Sequence, residues 1–341
     1  MGNNNKSNKT NPKRKLKKPI IISIAIIFFA LIFSVGFYGY KLYSNIEKVT
    51  PTDEELGLAP KEEQPVEKEV DYGTFNSGDR FINIALFGVD SRNLSNDTGT
   101  RADSIMILSI DREKKSMSLG SVARDTYVNI EGYGKDKVNH AYAYGGPSFL
   151  VKTLNQNFDL NISNFVVVNF SGMAEIVDRF GGVEIEVDEE EIKTINGSIK
   201  EIANLKGVQC DNITSSGVLN LNGIQAVAYS RIRSTAGGDF KRTDRQREVL
   251  LALAKKSSNV KATDILPIIN QLSSNLKTTL SVSDMVSIAT EVLKGGYQSN
   301  MQERMFPEAE YSGGDMINGI YYYVTDLDKA KESMHEFFFG E

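Results

Sequence analysis

The sequence predicts an α/β fold: a single αβα-type domain with a mixed central sheet, preceded by one transmembrane helix. Three observations carry this. Short runs rich in Ile, Val and Phe, suited to buried strands, alternate with longer segments of helical spacing over residues 80–341. Both kinds mix along one continuous stretch with no internal repeat, which favours a mixed sheet. Ahead of them lies Pro19–Tyr40, PIIISIAIIFFALIFSVGFYGY, 22 residues without a charged side chain.

That apolar stretch sets the topology. At about 1.5 Å per residue it spans roughly 33 Å, enough for a bilayer core of about 30 Å. A cleaved signal peptide has a shorter apolar region, about 7–15 residues, followed by a small-residue cleavage site. Here the run ends in Phe37, Tyr38 and Tyr40, which suit a membrane interface, so an uncleaved anchor is expected. Residues 1–46 carry eight cations and no acid, although the chain as a whole has net charge −5. The basic tail, residues 1–18, is therefore expected in the cytoplasm and the body outside the cell. Residues 41–79 are acidic and poor in apolar side chains, which predicts an extracellular stalk. Without its first 46 residues the chain is strongly acidic, which argues against a general nucleic-acid binder. The one cysteine, Cys210, cannot form an internal disulfide and is expected to be a small buried apolar residue.

The elements follow in order. FINIALFGVD (81–90) predicts a buried strand. DSIMILSID (103–111) and SMSLGSV (116–122) predict two more, and the short polar link DREKK predicts a hairpin between them. Phe149, Leu150, Leu154 and Phe158 have helical spacing over 146–158. NFVVVNF (164–170) reads as a buried strand. SGMAEIVDRFGG (171–182) reads as a helix with Ser171 as N-cap and Gly181-Gly182 as its stop, and VEIEV (183–187) alternates like a strand. Helices are expected over 221–231, 244–257, 264–276 and 281–296, with Ser281 and Asp284 imitating a capping box. YYYVTD (321–326) predicts a last strand and 326–339 a last helix.

The chemistry concentrates in a few clusters. Asp90 and Arg92 lie just past the first strand, and Arg101 and Asp103 open the second. Residues two apart on an extended chain face one side, so each pair sets a carboxylate beside a guanidinium. Two strand-end carboxylates suit a hard divalent cation, and the alternative is ordinary surface ion pairs. Arg124 and Asp125 end the next strand, where a loop salt bridge is the simpler reading. Lys137 and Asn139 are candidate phosphate contacts, and His140 is read as a cap or packing residue. The stretch RIRSTAGGDFKRTDRQR (231–247) holds five arginines and one lysine around Gly237-Gly238-Asp239. If 231–233 is extended, Arg231 and Arg233 point one way, while Arg242 and Gln246 stand four apart on a helix face with Arg245 near them. Planar guanidinium groups crowded in this way match phosphate oxygens. A solvated basic helix face is the alternative. Walker A, HExxH, CxxC and GxSxG motifs are absent from the sequence.

These stretches resemble, in order, the LytR-CpsA-Psr family of Gram-positive cell-wall enzymes. The resemblance rests on GVDSR (88–92), TRADSIMILSID (100–111), SVARDTYV (121–128), KVNHAYAYGG (137–146), FGGVEIEV (180–187) and LNGIQAVAYSRIRSTAGGDFKRTDRQREVL (221–250). One departure is Ala123, in a turn where the family usually has proline, which is expected to loosen the placement of Arg124 without removing chemistry. The resemblance implies an α/β domain that takes a polyprenyl-pyrophosphate-linked glycopolymer, such as wall teichoic acid or capsule, and moves it to a peptidoglycan hydroxyl. It implies that Asp90 and Asp103 hold Mg²⁺, with Mn²⁺ as the alternative. It further implies that Arg101, Arg124, Arg231, Arg233, Arg242 and Gln246 contact the pyrophosphate or head group, and that the lipid enters an apolar tunnel. Arg92 and Lys137 stand beside them as candidate contacts. Arg101, Asp103, Arg124, Arg231 and Arg233 are the expected catalytic set, with Asp103 or Asp239 as the base. Competing readings are a pyrophosphatase that uses water as acceptor, a membrane-bound transcription attenuator, and a non-catalytic wall-polymer binding module.

Overall fold

The computed structural model describes residues 47–58, 79–91, 94, 97, 99–232, 238–257, 265–269 and 275–340. The predicted basic tail, the predicted membrane span and most of the predicted stalk lie outside the described residues. Among the described residues no helix is long and apolar enough to cross a membrane.

The chain enters with a two-residue strand, β1 (Glu47–Lys48), and a one-turn helix, α1 (Asp53–Leu56). The apolar runs then become long strands, β2 (Phe81–Val89), β3 (Ala102–Asp111) and β4 (Ser116–Val122). A small hairpin follows, β5 (Tyr127–Ile130) with β6 (Gly134–Lys137), then helix α2 (His140–Phe158). Next come β7 (Asn164–Asn169), α3 (Phe170–Arg179), β8 (Val183–Val187) and α4 (Glu189–Lys206). They are followed by β9 (Gly217–Leu221), α5 (Gly223–Ser230) and α6 (Gly238–Ser257). The chain closes with β10 (Leu276–Thr278), α7 (Val282–Gly295), β11 (Met301–Phe306), β12 (Ser312–Ile317), β13 (Ile320–Thr325) and α8 (Leu327–Phe339).

Among the described residues seven strands form the central sheet, in the order β1-β10-β7-β2-β3-β4-β11. The β2–β3–β4 meander is antiparallel, as the short DREKK link requires, whereas β7 joins β2 in parallel and β11 joins β4 in parallel. The sheet is therefore mixed, as expected. Side chains alternate across it. Ala85, Phe87, Ile105, Ile107, Phe165 and Val167 pack under α2 and α8. Ile82, Ile84, Ile110 and Met117 pack on the opposite face with Ile288 of α7. Helices thus cover both faces. A further core joins β8 and β9 to α3, α4, α5 and α6.

Several elements differ from the expectation. The helix predicted at 146–158 begins at His140 and kinks at Gly145 and Gly146, where the backbone leaves helical angles. The cap of α3 is Asn169, whose side chain accepts from the Gly172 amide, so Ser171 already lies inside the helix. Of the helix predicted over 264–276, residues 265–269 are helical, but Leu276 belongs to β10, drawn into the sheet by its antiparallel pairing with β7. Residues 47–58, expected within the stalk, are packed on the domain. Leu56 is buried in the core beneath α2, and Asn155 donates to its carbonyl at 2.7 Å. Cys210 is half-buried at the edge of the second core rather than fully enclosed.

Helices α3 and α5 touch backbone to backbone at Gly223. A Cβ there would stand 2.1 Å from the Ala174 carbonyl oxygen, and the Gly223 amide donates to Asp178 at 2.7 Å. Gly223→Ala should cost about 1–3 kcal/mol, because neither helix backbone can yield without breaking its ladder. Urea unfolding measures this, and an unchanged midpoint would show that the contact is looser than the structure has it.

Candidate functional site

The antiparallel meander brings three chain ends together. The end of β2 and the end of β4 flank the start of β3, so Asp90, Arg101, Asp103 and Arg124 gather at one edge of the sheet. Met106 pairs with Ser121, and the register carried outward sets Asp103 opposite Arg124. On the other side the β2–β3 register slips between Gly88 and Val89, which makes Asp103 an extra residue in the ladder and turns it from the sheet. Gly88 permits this, because a Cβ there would lie 2.9 Å from that of Ser104.

A chain of charges runs through this edge. Arg124 donates through Nη1 to Asp103 Oδ1, and both side chains are about one-fifth exposed. Arg124 Nε lies 3.6 Å from Asp125, and the other oxygen of Asp125 takes Lys137 Nζ at 2.7 Å. The Lys137 ammonium also sits 5.7 and 5.9 Å from the ring centres of Tyr322 and Tyr321. The supporting turn is tied down. Ala123 donates to the Phe306 carbonyl at 2.8 Å, and Ala123 O accepts from Thr126 Oγ1 at 2.6 Å. Tyr323 N donates to Asp125 O, and Asn139 N to Arg124 O. Ala123 is thus held at both its amide and its carbonyl, and the two residues after it at their carbonyls.

Next to this edge an apolar cavity of about 260 Å³ opens under α3 and α6. Leu86, Val166, Val168, Met173, Ile176 and Leu250 line its apolar part, while Asp103, Ser104 and Gln246 form a polar end. The side-chain oxygen of Gln246 is buried and accepts no hydrogen bond among the described residues. Arg231 closes α5, and its guanidinium lies 5.1 Å over the ring of Phe170, another cavity residue, with Glu201 at 3.5 Å.

The structure therefore pairs Asp103 with Arg124, sets Asp103 and Gln246 at one end of the cavity, places Lys137 two ion pairs from Arg124 through Asp125, and sets Arg231 against the cavity wall. Asp90 and Arg101 are exposed at the same strand ends. Arg242 is buried within α6, 2% exposed. Arg245, expected to face the same concavity as Arg242 and Gln246, points elsewhere. It makes a buried pair with Glu191 at 2.6 Å, because its position one residue before Gln246 rotates it toward α4. Arg92 and Arg233 lie outside the described residues. Asp239 is in the first turn of α6, and its side chain lies outside them too. Among the described residues no three acidic, His or Cys side chains cluster as a closed metal cage. Two carboxylates at neighbouring strand ends still suit a hard cation that keeps ligand oxygens or water in its remaining positions.

The sequence reading missed the carboxylate that organises the flank. Asp136 accepts from Tyr144 Oη at 2.7 Å and Tyr322 Oη at 3.3 Å, and meets His140 Nδ1 at 2.7 Å. Burial raises its carboxyl, but hydrogen bonds from His140, Tyr144 and the Lys137 amide outweigh this and hold it below the usual carboxylate value. The bond to Asp136 pushes the Tyr144 hydroxyl up to about 12. The i, i+4 spacing of Asp136 and His140 was the available signal.

The pattern of the LytR_cpsA_psr family matches residues 42–337 of this chain. A Bacillus licheniformis protein named polyisoprenyl-teichoic acid–peptidoglycan teichoic acid transferase TagU is 31% identical over 318 residues, covering 92% of this chain and 93% of that protein. The Bacillus subtilis enzyme of the same description, TagT, is 29% identical over 338 residues, 97% of each chain. Among solved structures, TagT bound to LI-WTA superposes with a TM-score of 0.61 at 27% identity over 77% of this chain and 92% of that one. TagT with bound octaprenyl pyrophosphate lipid gives 0.57 at 25% identity, over 77% and 92%.

Proposed function

Since the chain belongs to the LytR-CpsA-Psr family, we propose that it moves a wall glycopolymer from a polyprenyl-pyrophosphate carrier to a sugar hydroxyl of peptidoglycan. The observation that carries this reading is the apolar cavity ending at Asp103 and Gln246, beside the Asp103–Arg124 pair. A cavity lined by Leu, Val, Ile and Met side chains takes an isoprenoid chain by burial alone. Its polar end then holds the pyrophosphate where a guanidinium can reach it.

Mechanism follows from this placement. The acceptor hydroxyl attacks the sugar-side phosphorus. The bond from that phosphorus to the bridging oxygen breaks, and polyprenyl phosphate leaves with that oxygen. The hydroxyl proton passes to a carboxylate, Asp103 or Asp239. Arg124 neutralises charge that grows on the phosphoryl oxygens, and Arg231, with Arg233 nearby in sequence, steadies the head group from the cavity side. Asp90 and Asp103 would hold Mg²⁺, or Mn²⁺ in its place, which supplies further charge neutralisation when bound. Lys137 keeps Asp125 and thereby Arg124 in register. Arg92, Arg101 and Arg242 are proposed as further contacts to the pyrophosphate or head group. Anchored by Pro19–Tyr40, the domain would face outward, where lipid carrier and wall both lie.

The test uses the full chain with a labelled lipid-linked polymer, with and without peptidoglycan. Label should enter the wall fraction only with peptidoglycan present. Release of free polymer phosphate at the same rate without it would make the protein a hydrolase. Val168→Trp, which fills the cavity, should raise the donor KM about tenfold or more and leave the fold intact. An unchanged KM would remove the cavity from the reading.

A further inference from the structure

Along the chain of ion pairs from Asp103 through Arg124 and Asp125 to Lys137 lies a row of tyrosines. Tyr133 and Tyr144 stack face to face, ring centres 4.1 Å apart and planes within 2°, and their exposures are 57% and 40%. Asp136 receives the hydroxyls of Tyr144 and Tyr322, and so ties this pair to a second, Tyr127 with Tyr322, whose centres are 4.7 Å apart. Tyr321, 42% exposed, flanks the Lys137 ammonium and shares a small cleft with Arg124 and Asp125. Strand β6 separates Tyr133 from Lys137 by four residues, about 13 Å at extended rise. The row is thus continuous with the candidate site and longer than one side chain.

Exposed aromatic rings in one patch call for an explanation, because they leave apolar surface in water. Their setting says what covers them. The ring faces alternate with hydrogen-bonding groups, namely Asp136, His140 and the tyrosine hydroxyls, with Lys135 5.8 Å over Tyr127. A pyranose ring has this dual character: an apolar C–H face and a rim of hydroxyls. A protein partner would prefer a drier, more continuous apolar face.

We propose that the exposed Tyr133–Tyr144 stack and the exposed Tyr321, joined through Asp136 and the buried Tyr322, form a platform for a polysaccharide, and that it seats the acceptor glycan strand. This rests on the reading that the chain acts on a wall glycan. Donor and acceptor then meet at Arg124, the lipid carrier coming from the cavity that ends at Asp103 and the glycan along the tyrosines.

The test compares the full wild-type chain with Tyr133→Ala, Tyr133→Leu and Tyr133→Phe. Peptidoglycan sacculi stripped of attached polymer serve as the binding probe in a sedimentation assay, and steady-state transfer gives KM for each substrate. Tyr133→Ala should lose about tenfold in sedimentation affinity and in acceptor KM, with kcat and donor KM unchanged. Tyr133→Phe should retain both, because the ring face is kept. Tyr133→Leu should behave as the alanine variant, because an aliphatic side chain keeps apolar area without a flat face. Equal sedimentation and KM in all four proteins would overturn the proposal. So would full rescue by leucine, or a loss of self-association in the alanine variant, which would make the patch an interface between copies of this chain. If wild type binds sacculi through Tyr133 yet transfers nothing, the platform stands and the proposed transfer reaction falls.

Discussion

Arg124→Ala should lower the rate of polymer transfer at least about a hundredfold, the usual cost of removing one preorganised group that meets transition-state charge. The guanidinium is fixed before any substrate arrives. Asp103 takes Nη1, Asp125 lies at Nε, and the turn that carries it is hydrogen-bonded to β11, β13 and the start of α2. Such rigidity avoids reorganisation during the reaction, and alanine removes the charge while leaving the turn's backbone bonds in place. Arg124→Lys should recover little, since an ammonium cannot hold Asp103 and a phosphate oxygen in one planar fork. Single-turnover rates with labelled donor measure the effect, and thermal unfolding controls for the fold. A rate within threefold of wild type would remove Arg124 from the chemistry. Because both ion-pair side chains are about one-fifth exposed, solvent moderates the loss of the Asp103 partner, and the stability change should be small beside the kinetic one.

The largest effect on stability is expected at Glu191. Glu191→Ala should destabilise the domain by about 3–5 kcal/mol, because it removes the carboxylate that faces the buried Arg245 guanidinium. The two side chains are 7% and 6% exposed, with contacts of 2.6 and 2.8 Å. Arg245 keeps a weaker bond to the Ile232 carbonyl at 3.4 Å and a place 5.9 Å from the Tyr229 ring, neither of which replaces a carboxylate. Glu191→Leu combined with Arg245→Met should return most of the loss, since an apolar pair of similar volume leaves no buried charge to compensate. Denaturant midpoints of the three variants decide it. A single variant as stable as wild type would mean that water reaches the pair. Activity should follow stability here, because the pair fixes the rotation of α6 and Gln246 is the next residue along.

The strands of the meander were legible because each is a continuous apolar run, and β2, β3 and β4 begin and end within a residue of expectation. The β5–β6 hairpin was not, since GKDK carries no apolar side chain and its strands are fixed by tertiary neighbours such as Tyr322. Strand β10 is three residues long, and only its pairing with β7 makes it a strand. In the site, Asp103 and Arg124 were both visible as candidates, but their partnership depends on the β3–β4 register, which spacing along the chain does not show. The same limit explains Arg245. Its side of the helix follows from where α6 packs on α4, not from its neighbours in sequence. The tyrosine row is assembled from β5, the β5–β6 turn, α2 and β13, four segments that no local window brings together.

The pairing of β1 with β10 also bears on how the chain is made. Glu47 meets Lys277, about 230 residues later, so one margin of the sheet cannot be completed until most of the polypeptide has been synthesised. At roughly 5–20 residues per second that interval is about 10–45 s. Strand β7 ends about 110 residues before β10 begins, so for about 5–20 s of that interval it shows its unpaired margin to whatever is nearby, and contacts of such long sequence separation form slowly in any case. Folding intermediates of this protein should therefore be exposed at β7, which makes that strand the place where a holdase that binds extended segments would act.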